Sequence, residues 1–295
     1  MISILIPIFN HDSSRLIRVL CRQAEGLGID WELIAMEDGS TGLTAPNRLA
    51  CEEYDHATYI YNKENVGRAA IRNRLARAAR GEWLVFLDCD SAVGDTRFLS
   101  HYAEALRKAG PSDILCGGRT YRNAEFYPSE CRLHWLVGSH REPCVSASKP
   151  VRNFTSNNFA VRRDFFLAHP FDETIRTYGH EDTLFGFQAS REGARYVYVN
   201  APVIHDSLDS NADFLSKTEQ GVRNLAAIER RLLPDEVDRI PLLRAKNRLL
   251  TLGLLGVLRT LAPVLLPLLK RLLLSPLRSL KAFDLYKITL MSTLF

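Results

Sequence analysis

Apolar residues gather along the first part of this chain in short runs, each closed by a polar turn. Ile2–Pro7, Trp31–Met36, Ala57–Tyr61 and the run from Trp83 to Leu87 read as strands. The last is expected to be buried on both faces, because no polar position interrupts it. Between the runs the apolar positions fall at helical spacing. Leu16, Val19 and Leu20 mark a helix from Ser13/Ser14 to Glu25, and Ala69, Ala70, Leu75, Ala76 and Ala79 give a packing face to an Arg-rich helix over Arg68–Arg80. This alternation predicts βαβ units, hence an α/β fold with a mostly parallel central sheet, flanking helices and right-handed crossovers.

The pattern continues with a helix over Thr96–Ala109 and a strand over Ile114–Gly118. Residues 120–155 lose clear periodicity and read as a functional loop, or as short helices, since Cys131–Gly138 has apolar spacing. A strand ending at Arg162 and helices over Arg163–Ala168 and Thr183–Glu192 follow, with Gly193 as the residue that stops the last one. A strand over Arg195–Val199 and a helix over Asp213–Leu233 close the body. The expected organisation is a catalytic domain, 1–238, with a nucleotide-binding half (1–118) and an acceptor half (119–238), then a helical tail, 239–295.

Charge sets the tail apart. The 295 residues carry a net +4; from Arg239 onward ten Lys/Arg face one acid, Asp284, a net of +9 that leaves −5 on the preceding 238 residues. The longest uncharged runs of the tail, Leu249–Leu258 and Thr260–Leu269, are ten residues each, too short to span a bilayer. Arg248, Arg259, Lys270 and Lys281 recur every eleven residues and so share one face of a continuous helix, with Pro263, Pro267 and Pro276 as expected breaks. Amphipathic helices on an anionic membrane surface fit this pattern; the alternative is a helical cap packed on the body or on a partner. Nucleic acid is not expected, because leucine, rather than aromatics interleaved with the basic residues, dominates the tail. The chain enters its first strand with no basic leader, which points to a cytoplasmic protein, peripheral on the cytoplasmic membrane face. Cys21, Cys51, Cys89, Cys116, Cys131 and Cys144 form no C-x-x-C pair and read as reduced thiols.

Candidate chemistry sits at the strand ends. In a parallel sheet the carboxyl ends open into the ligand crevice, so Asn10, Asp38, Asp88 and Asp90 are expected to converge there. Carboxylates at i and i+2, as in Asp88 and Asp90, can hold a hard divalent cation and leave its other positions open to phosphate oxygens. An Asp-rich turn capping the next helix is the plainer alternative. No G-x-G-x-x-G follows the first strand and no Walker-type loop occurs, which argues against a dinucleotide or P-loop fold.

Five stretches in order, Ile4-Leu-Ile-Pro7-Ile-Phe-Asn10, Glu37-Asp38-Gly-Ser40, Asn65-Val-Gly67-Arg68 with Arg72-Asn73, Leu87-Asp88-Cys-Asp90 and Gly179-His-Glu181-Asp182, resemble the family 2 glycosyltransferases over about residues 1–206. The resemblance implies the GT-A fold and inverting transfer from a nucleotide sugar, with uridine as the usual base. Pro7, Phe9 and Asn10 would line the nucleoside pocket, Asp38 would accept from the base, and Arg68 and Arg72 would lie near base or diphosphate. Asp88 would face the ribose. Asp90 would ligate Mn²⁺ or Mg²⁺, joined by His205. Asp182 is the implied general base, expected to keep a low pKa at a helix start, and Glu181 would hydrogen-bond the acceptor. Tyr178, His180, Trp135 and Asn158 are the candidate acceptor residues. Tyr178 stands where relatives often carry Trp, His180 where they carry a small residue, and Ser91 replaces a frequent third acid.

The chain lacks the Q-x-x-R-W motif of processive relatives, so the expected reaction adds one sugar to a saccharide or lipid-linked acceptor. Two other readings are a sugar nucleotidyltransferase and a non-catalytic nucleotide-sugar scaffold. The first would want a Gly-rich loop after the first strand, and Pro7–Ser13 offers none; the second sits badly with Asp90, Glu181 and Asp182 all present.

Overall fold

The computed structural model describes residues 1–42, 44–142 and 154–295; Cys144 and part of the loop expected at 120–155 lie outside them. The chain divides into two compact units. Unit 1 comprises Met1–Arg122, Glu142–Arg176 and Glu181–Ser207, and unit 2 comprises Asn123–Arg141, Thr177–His180 and Leu208–Phe295.

Unit 1 is built as the apolar runs predict. It begins β1 (Ile2–Ile8), α1 (Ser14–Glu25), β2 (Trp31–Asp38), α2 (Thr44–Glu52), β3 (Ala57–Asn62), α3 (Arg68–Ala78), β4 (Trp83–Leu87). It continues β5 (Ser91–Ala92), α4 (Phe98–Leu106), β6 (Asp113–Cys116), β7 (Arg119–Thr120), then β8 (Asn158–Arg162), α6 (Arg163–Ala168), α7 (Glu181–Arg191), β9 (Arg195–Tyr198) and β10 (Val203–His205). Seven strands form one sheet in the order β3-β2-β1-β4-β8-β6-β9, parallel except for β8, which runs against both neighbours. The strand period of two sorts the core. Ile4, Ile6, Leu33, Val85 and Leu87 face one apolar layer, and Leu5, Ile34, Leu84 and Phe86 face the other, where Phe154, Phe159, Phe166, Phe171 and Phe185 pack ring on ring.

Two features open the crevice. β1 pairs with β4 only as far as Leu5↔Phe86, while it follows β2 to Ile8↔Glu37. Past Leu5 the β1–β4 ladder has ended, so Pro7, which has no N–H to give, removes no bond on that side. The strand order also reverses between β1 and β4, the position where ligands enter open α/β sheets.

A second sheet of three short strands, β5-β10-β7, pairs His205 with Ser91 antiparallel and Ile204 with Thr120 parallel. Periodicity gave no sign of it, because strands of two or three residues are shorter than any pattern window.

Unit 2 is helical: α5 (Arg132–Arg141), α8 (Asn211–Ile228), α9 (Pro234–Arg239), α10 (Pro241–Thr251), α11 (Leu255–Leu274) and α12 (Leu280–Ser292). Leu133, Val137, Leu215, Leu269, Leu273 and Phe283 form its core, and Glu219 of α8 takes both the Tyr286 hydroxyl (2.5 Å) and Lys270 Nζ (3.0 Å). The tail differs from expectation in two ways. Pro263 and Pro267 lie inside a continuous α11, on its exposed side, where a carbonyl deprived of its amide partner meets water. The breaks fall instead at 252–254 and at 275–279, which includes Pro276. Because of these breaks Arg248, Arg259 and Lys281 belong to three different helices, and only Arg259 and Lys270 share one. No single helix among the described residues is long and apolar enough to cross a membrane; α10 and α11 pass that test only as a pair bent by 116°.

Phe159 is fully buried in the phenylalanine layer. Phe159→Ala is expected to lower the unfolding free energy by about 3–5 kcal/mol. Urea denaturation followed by fluorescence would check it, and a loss under about 1 kcal/mol would contradict this packing.

Candidate active site

Buried charge organises the end of β4. Arg72 is 1% exposed and its guanidinium is ion-paired with Asp88, while its Nη1 donates to the Arg68 carbonyl at 3.1 Å. Arg68, one helical turn earlier on α3, donates through Nε to Glu181 at 2.8 Å and through Nη2 to Asp88 at 3.4 Å. One arginine therefore joins the strand-end acid Asp88 to the first residue of α7. Asp88 itself is held by its backbone, its N–H donating to the Asn157 carbonyl at 2.9 Å.

Asp90 and His205 face each other, Oδ2 to Nε2, at 3.0 Å. The small sheet makes the meeting: His205 is in register with Ser91, and the Asp206 N–H donates to the Asp90 carbonyl at 3.0 Å. On the other ring nitrogen, Nδ1, lie the Tyr121 hydroxyl (3.2 Å) and Arg119 Nη1 (3.3 Å). Tyr121 donates to Glu142 Oε2 at 2.8 Å, and Arg119 pairs with the same carboxylate at 3.1 Å. Among the described residues no group of three or more His, Cys, Asp or Glu is arranged to hold a metal. Asp90 and His205 could offer a cation one carboxylate and one imidazole, a pairing that suits a borderline divalent cation and would leave positions for phosphate oxygens and water.

The acids titrate in opposite directions. Burial pushes the Asp182 carboxyl up, the neighbouring charge of Glu181 adds to it, and the group comes to about 6. This corrects the expectation of a low pKa, since burial and a like charge outweigh the helix start. Burial also acts against ionised Glu181 and Asp90, but their partners outweigh it. Arg68 and Arg72 hold Glu181 below its ordinary value, and His205, with Arg119 and Arg68, holds Asp90 well below the usual carboxylate range.

The loops expected to take the nucleoside are braced from beneath. Asp38 is buried, and its carboxylate accepts from Val66 N (2.7 Å) and Gly67 N (3.0 Å). Both oxygens thus fix the loop leading into α3. Gly39 makes this approach possible: it has φ +73°, and a Cβ there would fall 2.4 Å from Asn65 N. Asn10, with φ +49°, donates its N–H to Ser40 Oγ at 2.8 Å and accepts from Thr41 N at 2.9 Å. Pro7 is half-buried and Phe9 is exposed. Below them Glu37 accepts from Ser40 Oγ and from Asn47 Nδ2, which also reaches the His11 carbonyl.

Sequence reasoning read Glu37 only as part of a motif and missed Asn47, Arg119, Tyr121 and Glu142. Arg119 and Tyr121 carried a signal, polar residues after Gly117-Gly118 at the end of a buried run; Glu142 carried none.

Of the expected acceptor residues, Asn158 lies in unit 1. Asn158 is 1% exposed and spends its side chain on the fold. It accepts from the Tyr102 hydroxyl (2.7 Å) and donates to the carbonyls of Ala201 (2.8 Å) and Gly118 (3.0 Å). Its assignment to the acceptor is corrected accordingly. Tyr178, His180 and Trp135 belong to unit 2, where Lys217 Nζ lies 5.3 Å from the Tyr178 ring centroid and His180 adopts φ +68°.

Residues 3–168, more than half of the chain, match the family described as Glycosyl transferase family 2. The chain belongs to that family. The EpsH protein of Bacillus subtilis (strain 168) is 25% identical over 219 residues, 69% of this chain and 60% of that one. The hyaluronan synthase of Pasteurella multocida is 24% identical over 286 residues, 82% of this chain and 29% of that one. The chain thus spans less than two thirds of the length of these relatives. Among solved structures, the mannosyltransferase PcManGT from Pyrobaculum calidifontis, in complex with GDP-Man and Mn²⁺, superposes with a TM-score of 0.60 at 17% identity, covering 99% of this chain and 85% of that one. The fold is GT-A.

Asn158→Ala is expected to cost about 1–3 kcal/mol, because it strands the buried Tyr102 hydroxyl and two buried carbonyls. Thermal unfolding checks this; a full-strength fold with altered acceptor affinity would reverse the reading.

Proposed function

We propose that this chain is an inverting glycosyltransferase. It moves one sugar from a nucleoside-diphosphate donor, with uridine as the base the resemblance favours, to a hydroxyl of a saccharide or glycolipid in the synthesis of a cell-surface polymer or lipid. The observation that carries this reading is Arg68, which ties Asp88 to Glu181 and so sets the strand-end acids and the helix-start acids on one cation.

Pro7, Phe9 and Asn10 line the entry to the crevice, Phe9 offering an exposed ring for a base. Arg68 answers the diphosphate. Arg72 acts through Asp88, which its ion pair holds aimed at the ribose. Asp90 and His205 would hold a divalent cation, Mn²⁺ or Mg²⁺, which would supply charge neutralisation at the leaving diphosphate. Asp182 takes the proton of the acceptor hydroxyl as its oxygen bonds to the anomeric carbon. The bond from that carbon to the diphosphate breaks with its electron pair on the leaving oxygen, and attack from the opposite face inverts the centre. A carboxyl near 6 is more basic than an ordinary Asp yet ionised at neutral pH, the compromise a general base needs. Tyr178, His180 and Trp135 are assigned to the acceptor.

The tail is assigned to an anionic membrane surface on the cytoplasmic side. Val257, Leu261, Val264 and Leu268 recur at i, i+4, i+7 and i+11 along the outward side of α11, each about half exposed or more, with exposed Arg259, Lys270 and Arg271 on the same helix. An apolar row with cations beside it matches acyl chains beneath anionic headgroups.

Asp182→Asn is expected to lower kcat about 10²–10⁴-fold with donor binding retained. In the unaltered chain kcat/KM should fall tenfold per unit below about pH 6, because protonation removes the base. Glu181→Gln should shift that limb to lower pH by removing a charge that raises Asp182. A rate independent of pH between 4.5 and 7, or an active Asp182→Asn, rejects the base assignment.

For the tail, the full chain should float with vesicles containing phosphatidylglycerol and fail to do so with phosphatidylcholine alone. Val264→Asp with Leu268→Asp should abolish flotation. Flotation that survives these changes would place the contact elsewhere.

A further inference from the structure

His205 is gripped from both sides by a sheet whose strands are only two or three residues long. β10 carries the histidine between β5, which begins one residue after Asp90, and β7, which ends one residue before Tyr121. The parallel register Ile204↔Thr120, carried one residue further, sets His205 beside Tyr121; the antiparallel register sets it opposite Ser91. The result is a run of four side chains. Asp90 Oδ2 lies 3.0 Å from His205 Nε2, His205 Nδ1 lies 3.2 Å from the Tyr121 hydroxyl, and that hydroxyl lies 2.8 Å from Glu142 Oε2. The two rings are 5.5 Å apart at 59°, and the histidine side chain is 8% exposed.

We propose that Tyr121, oriented by Glu142, is the positioning residue that turns His205 into a metal ligand. This rests on the assignment of the cation to Asp90 and His205. A neutral imidazole that offers Nε2 to a cation must carry its hydrogen on Nδ1, and that hydrogen needs an acceptor. Among the contacts described, two groups reach Nδ1. Arg119 can only donate, so its contact at 3.3 Å belongs to the tautomer with the hydrogen on Nε2, turned toward Asp90. The Tyr121 hydroxyl can accept, because its own hydrogen is spent on Glu142, a carboxylate that only accepts. Tyr121 and Arg119 therefore favour opposite tautomers of the same ring. Metal entry selects the tyrosine contact and releases the Arg119 one, leaving that guanidinium to Glu142 and to Asp88, whose Oδ2 is 3.9 Å away. Partners of this kind on the far nitrogen fix the orientation and basicity of metal-bound histidines.

The test uses the full chain and Mn²⁺ alone, read as loss of the free-ion signal in electron paramagnetic resonance. Tyr121→Phe should weaken Mn²⁺ binding about 10–100-fold, and Glu142→Gln should act in the same direction. With Co²⁺ as a probe, Tyr121→Phe should also change the visible absorption of the bound ion, which a remote loss of stability would not do. In a His205→Ala background the same tyrosine substitution should have no further effect. Mn²⁺ affinity and Co²⁺ spectrum both unaltered in Tyr121→Phe overturn the positioning role while the cation assignment stands. Mn²⁺ binding unaltered in both Asp90→Ala and His205→Ala, or no Mn²⁺ binding by the parent chain, overturns the cation assignment and the positioning role with it. Circular dichroism melts of each variant identify any that fail to fold; if Tyr121→Phe does, Glu142→Gln alone decides.

Discussion

The ion pair between Arg72 and Asp88 is the constraint on which the crevice at the strand ends depends. A carboxylate at the end of a doubly covered strand and a guanidinium at 1% exposure both carry a desolvation cost. Each is tolerable only with the other, and removing one partner of such a pair costs about 3–5 kcal/mol through the charge left behind. The pair fixes where α3 sits against the end of β4. Arg68, one turn away on α3, is then placed to reach Glu181 at the start of α7. Two motifs more than ninety residues apart in the chain acquire a common geometry through one helix. Asp38 works toward the same end, since its two hydrogen bonds to Val66 and Gly67 determine where α3 begins.

The carboxylates clustered here would repel one another if their surroundings were alike. They are not. Asp90 is matched by His205 and Glu181 by Arg68, while the Asp182 carboxylate accepts only hydrogen bonds from Thr183 among the contacts described, at 2.7 Å from the backbone N–H. Burial then acts on Asp182 with the least compensation and lifts it, while its neighbours stay ionised. Pairs of acids whose surroundings push them apart in this way mark a division of labour between a base and charge-holding groups.

Much of this was legible in the sequence, for reasons that differ between elements. Buried parallel strands announce themselves as uninterrupted apolar runs, so β1, β2, β3 and β4, with α1 and α3, were readable to within a residue or two, whereas α2 had no apolar pattern that set its bounds. Asp88, Asp90, Glu181 and Asp182 were readable because they end strands or start a helix. Asn158 was misread because its neighbourhood in sequence is polar, whereas the strand it opens is buried on both sides and consumes its amide. The proline positions in the tail were misread for a related reason. Proline forbids a hydrogen bond without dictating a break, and on the exposed side of α11 the lost bond is made good by water. Glu37 was read only as part of a motif and Asn47 not at all, because the partners that explain them come together only when the loops after β1 and β2 close over them.

The Asp90–His205 side of the crevice is built on less structure than the Asp88 side. Asp88 stands on a five-residue strand in a seven-stranded sheet, whereas Asp90 and His205 are joined by β5, β10 and β7, none longer than three residues. So few ladder bonds cannot by themselves hold two side chains to a fraction of an ångström. What supplements them is polar and lateral: the Asp206 amide on the Asp90 carbonyl, Arg122 on the Asp206 carboxylate at 3.0 Å, and Tyr121 and Arg119 on His205. A site fixed this way is exact only while its hydrogen bonds are complete. Its geometry should therefore answer to small polar substitutions that the large sheet, held by burial, would absorb.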